Sequence, residues 1–107
     1  MSSLSPAPNG ASFPEVVCYS VAAVAEPGTL SRVVEYFALN GIVPDFVRAR
    51  RYITGRMIID IRVAGLEAQR ADVIAHKIRN CVLVHSVDME TISLAAEGRE
   101  TLLKAVG

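Results

Sequence analysis

The residues best placed to do chemistry are Glu26-Pro27-Gly28-Thr29-Leu30-Ser31, where an apolar run from Val16 to Ala25 stops and a helix-period run from Leu30 begins. Pro27 has the fixed φ that suits a first helical position, and Gly28 has no side chain to hold a ligand or a second backbone away. The expected product is a helix N-terminus with open amides, whose partial positive charge suits a carboxylate or another small anion. The same residues also fit an ordinary strand-to-helix turn, because Pro-Gly is common punctuation.

Other reactive side chains are few. His76 falls on a helix and His85 on a strand, and neither has a serine, cysteine or carboxylate in a triad-like context, so no catalytic residue is expected. Cys18 and Cys81 lie in separate elements with no metal-ligand spacing, which reads as two reduced structural thiols and no metal or cofactor. Arg48, Arg50, Arg51 and Arg56 would grip a phosphate or an acidic partner if the chain brought them together; otherwise they keep a sheet edge solvated.

The elements that position these residues follow from patterning. A chain of 107 residues, 51% hydrophobic, has the material for one domain. Eleven basic residues balance eleven acidic ones, so no nucleic-acid footprint is expected. No run reaches the roughly 18–20 apolar residues of a membrane span, and the N-terminus lacks a secretory layout, so the expectation is a cytoplasmic chain with no membrane partner. Residues 1–14 are rich in Ser, Pro, Ala, Gly and Asn and are expected to form a flexible tail.

Val16–Ala25 is apolar on both alternating faces and predicts a central strand whose Val16, Cys18, Ser20 and Ala22 side is thinly covered or meets a partner. Leu30, Val33, Val34 and Phe37 form a helical stripe, which predicts a helix from Pro27 to Leu39 ended by Asn40-Gly41. Ile42–Ile53, with Pro44 near its start, predicts an edge strand. Thr54-Gly55 predicts a hairpin turn into Arg56–Val63, where Met57, Ile59, Ile61 and Val63 share a face. A second helix is expected over Leu66–Asn80, burying Ala71, Ile74, Ala75, Ile78 and Cys81. Val82–Met89 predicts the last strand. Residues 91–107 form a C-terminal extension with a short helix expected around Leu94–Ala105.

The order predicts an α+β, ferredoxin-like βαββαβ sandwich: a four-stranded antiparallel sheet with two helices on one face. Right-handed crossovers put the first and third strands in the middle and the second at an edge. So small a unit buries little of its surface, and its open face and edges predict a homodimer. The same topology hosts RNA readers and acylphosphatases. The former need stacking aromatics where this chain has Tyr19 alone, and the latter want a basic residue where Glu26 stands.

Residues 15–90 resemble an ACT domain. The resemblance rests on Glu26 to Val34, Asn40-Gly41-Ile42, Gly55-Arg56-Met57 and His76-Lys77-Ile78. Within that family the chain is most similar to the N-terminal ACT domain of the regulatory small subunit of acetolactate synthase. The resemblance implies a side-by-side dimer whose edge strands pair, with an amino-acid effector held where the strand-to-helix loop meets the neighbouring subunit's second strand. The implied ligand-binding residues are Ala25, Glu26, Pro27, Gly28, Thr29 and Leu30 on one side and Ile42, Val43 and Pro44 on the other. The small-subunit pattern has asparagines where this chain has Ala25 and Val43. Two lost hydrogen bonds to a charged group, each about 1.5–3 kcal/mol, weaken such binding by about a hundredfold or more.

Two functions are carried forward. One is a free-standing regulatory module, not an enzyme, that binds a small effector at a homodimer interface and modulates a biosynthetic enzyme. The other is an effector-independent dimerisation or enzyme-docking module with a degenerate ligand site, docking through its sheet or through residues 91–107.

Overall fold

The computed structural model describes residues 15–93. The elements run β1 (Glu15–Val24), α1 (Thr29–Leu39), β2 (Phe46–Arg51), β3 (Arg56–Ala64), α2 (Ala68–Arg79) and β4 (Val84–Ser93). The strands form one antiparallel sheet in the order β2-β3-β1-β4, as the crossover rule predicts. The tail at 1–14 and the short helix expected around Leu94–Ala105 lie outside the described residues.

Alternation along the strands decides which face is buried. Val17, Tyr19, Val21 and Ala23 of β1 and Ile59, Ile61 and Val63 of β3 turn towards the helices. They meet Val33 and Phe37 of α1 and Ala71, Ile74, Ala75 and Ile78 of α2 in one core. Tyr19 fixes the depth of the packing: its ring meets Phe37 edge-on at 5.2 Å, and its hydroxyl donates to the Ala71 carbonyl at 2.9 Å. Among the described residues no helix covers the opposite face of the sheet, where Cys18, Ser20 and Ala22 are half-buried and Val16 is buried.

Helix α1 ends as Asn40-Gly41 predicts. The Gly41 amide bonds the Ala38 carbonyl at 3.0 Å and the Ile42 amide bonds the Phe37 carbonyl at 2.9 Å, with Gly41 at φ 70°. This is a Schellman closure, in which left-handed glycine satisfies the last free carbonyls.

Four elements differ from expectation, and among them β2 also ends at Arg51 rather than Ile53, where the turn that joins the Gly55 amide to the Tyr52 carbonyl takes over. Helix α1 begins at Thr29, not Pro27, because Glu26–Thr29 closes a turn first. Helix α2 begins at Ala68, after Glu67 in an extended conformation. Strand β2 starts at Phe46 rather than Ile42. Pro44 has no amide for the ladder, while Asp45 gives its amide to the Arg62 carbonyl at 2.8 Å and takes the Ala64 amide on its carboxylate at 2.7 Å. Strand β4 is shifted forward by the turn that joins the Val84 amide to the Cys81 carbonyl at 3.0 Å, and it pairs with β1 through Ser93.

A candidate ligand corner between β1 and α1

The corner between β1 and α1 is tied down from two sides. The Val24 amide donates to the Leu83 carbonyl at 3.0 Å, and the Ala25 amide donates to the Gly55 carbonyl at 2.9 Å. The corner is thus a third partner of the β2–β3 hairpin and the α2–β4 loop. The chain then folds through Glu26-Pro27-Gly28-Thr29, with the Thr29 amide on the Glu26 carbonyl at 3.1 Å. Gly28 sits at φ −90°, ψ −3°, the third position of a type I turn, and Pro27 occupies the second position that proline favours.

That geometry does not itself call for glycine at position 28. Its φ is open to any residue, and a β-carbon built there meets nothing within 4 Å. Neither the turn nor packing within one chain requires glycine. What glycine leaves is open space in front of the helix, where a ligand or another molecule can come close to the backbone.

Helix α1 has no side-chain cap at this end. Among the described residues, the Gly28, Leu30 and Ser31 amides meet no acceptor. They are the orphan donors of a helix start, with the dipole adding partial positive charge. Glu26, Pro27 and Gly28 are exposed, and Ala25 and Leu30 are half-buried. Thr29 differs: it is fully buried, and among the described residues its Oγ1 has no hydrogen-bond partner. A buried unpaired hydroxyl costs about 1–3 kcal/mol, so the fold carries a polar group at this corner that a single chain does not use.

Ile42, Val43 and Pro44 lie beyond the far end of α1. An 11-residue helix separates them from the corner by about 16 Å along its axis. They sit at the end of the sheet where Asp45 joins Ala64, whereas the corner sits where Ala25 joins Gly55. One chain therefore does not bring the two halves of the expected site together. Val43 is 86% exposed, while Ile42 and Pro44 are half-buried.

Two apolar residues that patterning assigns to strand ends lie outside the strands, at the corner end. Ile53 and Val82 are almost wholly exposed, each two residues or fewer from a carbonyl that anchors the corner. An isoleucine in a hairpin whose neighbours are Thr54 and Gly55 was the available signal. The burial of Thr29 was legible too, since Thr29, Val33 and Phe37 recur every four residues and all three are buried.

The remaining reactive groups do not assemble. Strand alternation puts Arg48, Arg50 and Arg56 on the open face and Arg51 on the other, so the four arginines do not converge. Arg48 instead reaches Asp60 at 3.4 Å. His76 and His85 are exposed on different elements. Cys81 is buried, and burial pushes the half-buried Cys18 thiol up, against the opposing pull of Arg62, away from the thiolate that nucleophilic chemistry needs. Among the described residues, no group of three metal-ligating side chains could hold a metal ion, and no helix is long and apolar enough to cross a membrane.

Residues 13–96 match the family described as ACT-like domain. None of the curated proteins compared with the chain matches it. Among solved structures, the chain is similar to the ACT domain of GTP pyrophosphokinase from Chlorobium tepidum, with TM-score 0.62 at 8% identity, covering 73% of this chain and all of that one. It is similar to the C-terminal domain of the MgtC protein from Mycobacterium tuberculosis, with TM-score 0.60 at 12% identity, covering 73% of this chain and 87% of that one. A homoserine dehydrogenase from Thiobacillus denitrificans also matches, with TM-score 0.56 at 18% identity, over 77% of this chain but only 18% of the enzyme. These likenesses are of fold.

Proposed function

The chain belongs to the ACT-like domain family, and on that premise we propose that it is a regulatory module, not an enzyme, that binds a small effector at a homodimer interface. The effector is an amino acid or a similar small carboxylate. Its carboxylate rests on the free amides of Gly28, Leu30 and Ser31, and Ile42, Val43 and Pro44 of the second copy close the other side. The observation that carries this reading is the uncapped start of α1 beside a glycine that neither conformation nor packing requires.

A second copy supplies what one chain lacks. Two β2 edges paired antiparallel about Ala49 set Val43 of one copy level with Gly55 of the other, and Gly55 is the residue that holds Ala25. The exposed Ile53 and Val43 then meet across the join. Ala25 and Val43 bring no polar side chain, so selectivity rests on backbone amides and an apolar wall. The narrower reading is likeness to the N-terminal ACT domain of the acetolactate synthase small subunit, with a biosynthetic enzyme as the regulated partner through differential affinity for two states.

Differential scanning fluorimetry against the amino acids and small carboxylates at millimolar concentration tests the reading. An effector present at about 100 times its Kd adds about 2.7 kcal/mol, which reads as a rise in Tm. Gly28→Ala keeps the unliganded Tm and abolishes that rise. Flat melting curves across the panel, from a chain that still dimerises, favour instead an effector-independent docking module, the reading that the missing polar groups at Ala25 and Val43 support.

A further inference from the structure

The face of the sheet that neither α1 nor α2 covers has a charge and size pattern of its own. Pairing across the strands places its residues in rows: Phe46, Arg62, Cys18 and Glu90; then Arg48, Asp60, Ser20 and Asp88; then Arg50, Ile58, Ala22 and Ser86. Read down the columns, β2 gives Arg48 and Arg50, while β4 gives Asp88 and Glu90. The charged groups on β3 are Arg56 at its start, Asp60 and Arg62, and β1 has none between Val16 and Val24. The face is therefore basic along one edge and acidic along the other.

Side-chain length varies in the same direction. The β1 column is short, and over it lies a concavity of about 310 Å³ lined by Cys18, Ser20, Asp60, Arg62, Asp88 and Glu90 among others. The β3 column beside it is long. Arg62 stands over the Phe46 ring at 4.6 Å, which holds its guanidinium up on this face rather than loose in solvent.

We propose that this face is an interface with a second copy of the chain, packed face to face about a twofold axis that runs along the strands midway between β3 and β1. Such an axis turns the order β2-β3-β1-β4 onto itself. It lays β2 over β4 of the second copy and β3 over its β1, and it keeps each row opposite its own row. Arg48 then faces Asp88 of the second copy, and Arg62 lies above Cys18 of the second copy, within a strand's width of Glu90 of the second copy. The long column of Ile58, Asp60 and Arg62 fills the trough left by Ala22, Ser20 and Cys18. Under this one operation the basic edge meets the acidic edge and the long column meets the short one, with Arg48 standing between its own Asp60 and Asp88 of the second copy, and a closed twofold pair of aligned sheets is an ordinary packing. The interface is separate from the lateral pairing of β2 edges proposed above, and it stands or falls independently of effector binding.

The test is a pair of charge reversals, Arg48→Glu and Asp88→Lys, made in the full chain. Each alone sets like charges opposite at two symmetric places and weakens face association by about a hundredfold. Mixed, the two variants restore both contacts. With one variant isotopically labelled, native mass spectrometry then shows mixed pairs in large excess over self pairs. A statistical mixture, or self pairs only, overturns the proposal. A second readout uses the wild-type chain. Cys18 lies under the second copy, so its alkylation slows as protein concentration rises, and 0.5 M salt or Asp88→Lys abolishes the slowing. Cys18 reactivity that does not depend on concentration assigns the face to solvent or to an occupant within the chain, and overturns the proposal as well.

Discussion

The amide of Ala25 donates to the carbonyl of Gly55 at 2.9 Å, which fastens the β1–α1 corner to the tip of the β2–β3 hairpin. Gly55 can do this because it stands at φ +86°, a conformation that costs residues with a β-carbon roughly 1–2 kcal/mol. Gly28 stands at an ordinary φ in open space. Gly55→Ala is therefore expected to lower stability by about 1–2 kcal/mol, with Gly28→Ala within about 0.5 kcal/mol of the parent. Urea unfolding of the two variants side by side checks the contrast; equal losses would contradict it.

Thr29 is the polar residue of the corner that the fold leaves unpaired. Replacing its hydroxyl by a methyl group of similar size removes an unsatisfied buried group, so Thr29→Val is expected to stabilise the unliganded chain by about 1 kcal/mol, a rise in Tm of about 4–8 °C for a domain this small. A fall in Tm would show that the hydroxyl has a partner in solution.

Tyr19 makes the core sensitive to alkali. Burial, helped by Asp72, pushes its phenol up to about 12 from the ordinary 10. In the folded state the proton is held more tightly than in the unfolded chain. The contribution is therefore complete below about pH 10 and is lost as pH rises towards about 12, a change of about 2–3 kcal/mol. Tyr19→Phe, which gives up the bond to Ala71, is expected to be less stable at pH 8 and to lose less between pH 10 and 12. Parallel slopes for the two proteins would contradict this.

The lateral pairing proposed for β2 has an opposite salt signature to the face contact. Antiparallel β2 edges centred on Ala49 set Arg48 across from Arg50 of the second copy, and like charges directly opposite repel. Asp60, 3.4 Å from Arg48, offsets part of this. Sedimentation equilibrium of the Asp88→Lys variant, in which the face contact is weakened, is expected to show association strengthening from 0.05 to 0.5 M salt as screening shortens the repulsion. Association that weakens with salt in this variant would contradict lateral pairing through β2.

Much of the fold was legible because patterning and packing agree. The stripe of Ala71, Ile74, Ala75 and Ile78 and the alternation of Met57, Ile59, Ile61 and Val63 name the buried faces directly, and the four α2 residues are wholly buried. The start of β2 was not legible, because what ends the ladder is the Asp45 carboxylate on the Ala64 amide, a contact between residues 19 apart. The corner was legible as a place but not as a conformation. Pro27-Gly28 announces a change of direction, yet whether it opens the helix or precedes it depends on the Glu26–Thr29 turn and on anchors supplied by Gly55 and Leu83.

The most direct measurement is an amide NMR titration of the labelled chain with the amino acids, pooled and then singly. The account predicts saturable shifts concentrated on Gly28, Leu30 and Ser31 together with Ile42 and Val43, two groups that only a second copy brings together. Shifts absent at millimolar ligand, or confined to the open face around Cys18 and Ser20, would contradict it.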